Sequence, residues 1–119
     1  MANPAKAKGS KAERDVVSYL SENGFPYAER RLAGAQEDKG DIAGVNGVCI
    51  EVKDHKTMAL STWVEEMLIE TKHAKAWTGV VWHKRRGKAS PADWYVTLTG
   101  SMWLELLKKA MGLDETRKS

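Results

Sequence analysis

The sequence predicts a single α/β domain, a mixed central sheet flanked by helices with its elements in the order αβββαββα. Two Ser/Thr-x-x-Glu capping patterns, Ser10 with Glu13 and Thr62 with Glu65, each precede apolar residues at helical spacing. The run Val-Cys-Ile-Glu-Val-Lys at 48–53 alternates at strand spacing just after Asn46-Gly47, a hairpin signal. The chain has 119 residues, 42% of them hydrophobic, enough for one core and too few for two.

Residues 1–8 mix Pro, Ala and Lys without apolar periodicity and are expected to form a flexible basic tail, with the folded domain spanning 9–113 and a second flexible tail at 114–119. The first helix starts at the Ser10 cap, continues through Val16, Val17 and Leu20, and stops at Asn23-Gly24. Residues 25–32, broken by Pro26, read as a short strand beginning after the proline and carrying Tyr27, Arg30 and Arg31. A polar loop at 34–39 then delivers the chain to Gly40-Asp41 and a hairpin whose second strand is 48–53. Thr62 opens a second helix of about four turns, with Val64, Met67, Leu68, Thr71 and Ala74 on the face that packs on the sheet. Residues 79–83 and 93–98 read as two strands joined across a basic loop at 84–88. Trp103, Leu104, Leu107 and Met111 mark the last helix.

Composition removes several function classes. The lone Cys49 cannot form an internal disulfide, and no Cys/His group has zinc spacing, which fits a reducing, cytoplasmic setting. No apolar run approaches the roughly 18 residues of a membrane span, and the first residues lack a signal-peptide core, so a soluble, unprocessed chain is expected. The net charge of +3 is unremarkable, but its distribution is not. Lys6, Lys8, Lys11 and Arg14 crowd the N-terminus, and Lys84, Arg85, Arg86 and Lys88 crowd mid-chain. Either cluster suits phosphates, and either suits plain solvated charge. His55, His73 and His83 have no partner pattern, His55 alone falling close to Lys53, and the five tryptophans suit core and dimer contacts.

The chemistry concentrates at residues 41–53. Strand alternation puts Val48, Ile50 and Val52 on a core face and Cys49, Glu51 and Lys53 on the other, charged face. Whether Asp41 joins them depends on the turn. A two-residue Asn46-Gly47 loop would set Asp41 against Val52, on the wrong side of the sheet. A three-residue loop, Val45-Asn46-Gly47 with Gly47 in the left-handed conformation, sets Asp41 against Glu51 and Ile42 against Ile50. The three-residue loop is expected, because it makes chemistry and core agree. Two facing carboxylates with only Lys53 between them call for a divalent cation, and oxygen ligands favour Mg2+, with Mn2+ able to substitute. The Val52 carbonyl is a further candidate ligand. Lys53 is suited to orient or deprotonate an attacking water and to steady charge developing on phosphate.

Gly40-Asp41 followed by Ile50-Glu51-Val52-Lys53 resembles the PD-(D/E)XK nuclease superfamily, and within it the archaeal-type and phage Holliday-junction resolvases. Lys8-Gly9-Ser10, Glu13-Arg14, Gly24-Phe25 and Arg30 are similar to the N-terminal part of those resolvases, so the likeness spans residues 8–53. Gly40 departs from it, standing where the superfamily's name has proline. The resemblance implies a restriction-endonuclease-like fold, metal binding by Asp41 and Glu51, a catalytic role for Lys53, and Glu13 as the helical acidic residue completing the site. Glu13 also reads as the capping partner of Ser10, and the two roles are compatible. Further implications are a homodimer, branched DNA as substrate, and a place in DNA recombination or repair, in the host cytoplasm if the chain is phage-encoded.

The expectation is therefore an Mg2+-dependent endonuclease acting on four-way junctions, with catalytic Glu13, Asp41, Glu51 and Lys53 and no small-molecule cofactor. Lys8, Ser10, Arg14, Arg30, Arg31, Lys39, Lys84, Arg85, Arg86 and Lys88 are the expected DNA contacts, mostly to backbone. A nuclease of the same superfamily acting on flaps, ends or duplex, and a non-catalytic DNA-binding module on the same fold, are the alternatives.

Overall fold

The computed structural model describes residues 4–31 and 38–113. Five strands form one mixed sheet in the order β1 (Glu29–Arg30), β2 (Ile42–Ala43), β3 (Val48–Lys53), β4 (Thr78–His83), β5 (Tyr95–Thr97). Neighbours are antiparallel except β3 and β4, which run parallel and are joined by a helical crossover. Three helices, α1 (Pro4–Glu22), α2 (Leu60–His73) and α3 (Gly100–Ala110), complete the fold with a 3-10 turn at Pro91–Asp93. None of these helices is long and apolar enough to cross a membrane.

Helix α1 begins six residues before the expected Ser10 cap, so residues 4–8, expected to be flexible, are its opening turns. Pro4 suits a first helical position, and Ala5, Lys6, Ala7 and Lys8 are strong helix formers that need no apolar stripe. Ser10 therefore lies inside the helix, where its hydroxyl accepts a hydrogen bond from Arg30 instead of capping (3.1 Å). The end is as expected at Asn23-Gly24, with the Phe25 amide on the Leu20 carbonyl (3.0 Å). The tails at 1–3 and 114–119, and most of the 34–39 loop, lie outside the described residues.

The register is the expected one, Ile42 pairing with Ile50, but the turn is not the expected three-residue loop: the Val48 amide closes onto the Val45 carbonyl at 3.2 Å across Asn46-Gly47, with Gly47 at a φ of 77°, and the additional residue that this register needs is Gly44, ahead of the turn. Gly44, with a φ of 87°, packs against the Tyr27 carbonyl so closely that any Cβ would overlap it. Gly44→Ala combines this overlap with a left-handed backbone and is expected to cost about 3 kcal/mol, read as a lowered denaturation midpoint.

Both faces of β3 are covered, a correction to the expected division into one core face and one charged face. On one side Ile50 and Val52 join Ala12, Val16 and Leu20 of α1 in the larger core, with Ile42, Val80 and Trp94. Each large aliphatic side chain buried there contributes about 1.5–3 kcal/mol. On the other side Trp63 and Met67 of α2 pack on Val81, with Met102 of α3 alongside. Cys49 and Glu51 point to this second side and are 1% and 4% exposed. Burial on both faces is the usual consequence of a parallel strand pair bridged by a helix.

Helix α2 starts at Leu60 with no side-chain cap at Ala59, so the expected Thr62–Glu65 capping box is not formed. Trp63 sets the helix's position instead, and the buried stripe runs Trp63, Met67, Glu70, Thr71. The last strand is shorter than 93–98, because Ser90 and Pro91 turn the chain into the 3-10 segment first. Among the tryptophans, Trp63 and Trp94 are buried, Trp82 is half-buried, and Trp77 and Trp103 are exposed. Trp103 shares its exposed helix with Leu104 and Leu107, and Met111 follows.

Candidate active site

The C-terminal half of β3, the start of α1 and the residues after Lys53 enclose a cleft of about 500 Å³, lined among others by Lys8, Glu13, Asp41, Glu51, Val52 and Lys53. Asp41 sits just off the end of the β2–β3 ladder. Its amide donates to the Ile50 carbonyl (2.8 Å) and its Oδ2 accepts from the Val52 amide (2.7 Å), so backbone bonds on both sides of Glu51 fix its carboxyl. The two carboxyls lie within hydrogen-bonding reach of one another. Lys53 Nζ stands 3.9 Å from Glu51 Oε2 and 3.5 Å from Glu66 Oε2.

Glu13 enters from α1, where Arg30 Nε donates to its Oε1 at 2.9 Å while Arg30 Nη2 holds Ser10. Arg30 and Ser10, expected to meet DNA, are thus engaged in fixing Glu13. Were Glu13 a ligand in a metal-dependent centre, Arg30→Ala would be expected to weaken its activity about 10- to 100-fold, the usual cost of losing a ligand's outer partner. Lysine at 30 should not restore it, because one ammonium cannot reproduce the two-pronged contact. Unchanged activity would mean that Glu13 needs no such support.

Three acidic residues that sequence reasoning passed over also reach the site: Asp38, Glu66 and Glu70. Glu70 comes from α2, is 4% exposed, and leaves its Oε2 without a hydrogen-bond partner. Asp38, Glu51 and Glu70 bring carboxylate oxygens within 4.8 Å of one another, the metal-ligand group found among the described residues. A signal for Glu70 exists in the sequence, since it falls on the stripe of Trp63 and Met67 where an apolar residue belongs. Asp38 gives no such signal, because a polar loop hides its direction.

So many carboxyls cannot all ionise together. Burial first, then the hydrogen bond and charge of Glu51, push Asp41 up to about 8, against the pull of the Val52 amide. Burial likewise pushes Glu51 up to about 8, with the neighbouring Glu70 adding to the rise and Asp41 and Lys53 opposing it. Burial raises Glu13 and Glu70 as well. An all-oxygen set that resists ionisation in the bare protein, with one buried oxygen orphaned, is what a hard divalent cation fits. Cys49 adds nothing nucleophilic, its thiol pushed up to about 11 by burial.

The remaining expected DNA contacts are spread along the cleft and beyond it. Lys8 lies 3.8 Å from Asp54 on the cleft wall, whereas Arg14, Arg31 and Lys39 are exposed. The 84–88 loop leaves β4 beside Lys53, since His83 pairs with Lys53 and the Lys84 amide bonds the Lys53 carbonyl (2.9 Å). It is held in shape: Lys84 lies over Trp94, Arg85 over Tyr95, and Trp94 Nε1 donates to the Lys88 carbonyl. Arg86 and Lys88 are exposed. Of the histidines, His55 lines the cleft, His73 bonds the Asp38 carbonyl, and His83 is buried between Trp63 and Tyr95.

Compared with known proteins, the chain matches no family model, no curated protein and no solved structure.

Proposed function

We propose that the protein is a divalent-metal-dependent, structure-specific DNA endonuclease of the PD-(D/E)XK type on a restriction-endonuclease-like fold, hydrolysing phosphodiester bonds at four-way junctions. The observation carrying this reading is the facing pair Asp41 and Glu51 beside the Lys53 ammonium in an open cleft. Asp41 and Glu51 would hold Mg2+ or Mn2+, with Glu13 and the Val52 carbonyl beside them. Such a cation supplies neutralisation of the scissile phosphate and acidification of water.

The chain's own groups do the rest. Lys53, steadied by Glu51 and Glu66, orients the attacking water and donates to the phosphate oxygen on which charge builds. Arg30 keeps Glu13 in place. Lys8 at the cleft and the basic 84–88 loop beside Lys53 hold the DNA backbone on either side, giving binding that reads shape and weakens steeply with salt. Resolving a junction takes two cuts, which a two-fold dimer supplies, and the exposed apolar side chains of α3 are the surface a second copy would cover.

Incubation with four-way, flap and linear duplex DNA in Mg2+ tests the substrate claim. Preferential, paired cutting of the junction is expected. Equal cutting of all three would replace the junction reading with a general nuclease, and binding without cutting would leave a DNA-binding module.

A further inference from the structure

Resting on the reading above, we infer a second divalent-cation site, formed by Asp38, Glu51 and Glu70, so that Glu51 bridges two ions. The three residues come from separate parts of the fold: the turn before Gly40, the middle of β3 and the last turns of α2. Their carboxylate oxygens lie within 4.8 Å of one another, a span one cation can draw together. Proximity of acids alone would mean little.

What singles out this group is Glu70. Its residue is 4% exposed and its Oε2 is buried with no hydrogen-bond partner, a costly state that bound metal relieves. It also sits towards the C-terminal end of α2, where the helix dipole disfavours negative charge, so local structure gives no reason for a carboxylate there. Asp38 is held in place from two sides. Its Oδ1 accepts from the Gly40 amide (2.9 Å), and its carbonyl bonds His73 Nδ1 on the same helix as Glu70 (2.9 Å). With only oxygens on offer, Mg2+ or Mn2+ fits and zinc does not. A pair of ions sharing a carboxylate is suited to phosphodiester hydrolysis, where one steadies the attacking side and the other the leaving side.

The test is Mn2+ itself, titrated into cation-free protein by calorimetry and read in parallel by electron paramagnetic resonance, with circular dichroism confirming that each variant is folded. Wild type is expected to take two Mn2+ per chain with a spin-coupled spectrum. Glu70→Gln, which keeps side-chain size, and Asp38→Asn should each take one, uncoupled; Asp41→Asn should also take one, at the Asp38–Glu70 side. A single Mn2+ in wild type that Asp41→Asn removes and Glu70→Gln does not would overturn the second site and leave the proposed centre standing. Two Mn2+ retained in Glu70→Gln would likewise overturn it. No Mn2+ binding to wild type would overturn both.

Discussion

Glu51→Gln is expected to slow strand cleavage steeply and, in the cation-free protein, to raise the melting temperature. The two effects share one cause. Glu51 is 4% exposed and flanked by Asp41 and Glu70, so its charge is a burden on the bare fold that the proposed cation would turn into a ligand bond. A carboxamide of the same shape offers N–H donors to both neighbours and removes the charge. Cleavage should fall on the order of 10²- to 10⁴-fold, the range for losing a group that acts in the transition state. Stability without metal should rise on the order of 1 kcal/mol, about 4 °C in a domain of this size. A variant that loses activity and also melts earlier would show that Glu51 is a structural residue.

The second large effect is a stability that falls as pH rises without metal and stays nearly level with it. In the unfolded chain Asp41 and Glu51 release their protons near 3.8 and 4.5, whereas burial in the fold raises both to about 8. Between those limits the folded protein binds more protons than the unfolded chain, so stability is fullest below about pH 4 for these groups and is lost as pH rises through 8. In EDTA the melting temperature should therefore fall steadily from pH 5 to pH 8. Excess Mg2+ should remove most of that fall, since it binds the ionised form of the site. His83 works in the opposite sense, because burial lowers it and its contribution is lost as pH drops below its ordinary 6.5. Comparison with Glu51→Gln cancels His83 and isolates the carboxyls. A flat EDTA profile in wild type would mean that the cluster is ionised and already compensated.

What the sequence made legible was whatever depends on short-range spacing. Strand alternation was enough to select the register that pairs Ile42 with Ile50 and brings Asp41 to Glu51, but not the turn that delivers it, which closes across Asn46-Gly47 with Gly44 as the additional residue. The start of α1 was misread because Ser10 with Glu13 matches a cap in spacing alone, while the helix propensity of residues 4–8 extends past it. Both residues bond Arg30, twenty positions on from Ser10 and seventeen from Glu13, a contact no local pattern shows. Glu70 and Asp38 stayed hidden for a related reason. Their approach to Glu51 depends on α2 crossing the charged face of β3, and that face reads as solvent-exposed until a helix is seen to cover it.

The most direct test of the metal-dependent centre is single-turnover cleavage of a labelled four-way junction by wild type, Asp41→Ala and Lys53→Met, each with excess Mg2+ and with EDTA, after circular dichroism has confirmed folding. The expected result is cutting by wild type in Mg2+ alone, with both variants still binding the junction but cutting it at least 10²-fold more slowly. Cutting by wild type in EDTA, or wild-type rates in either variant, would contradict it.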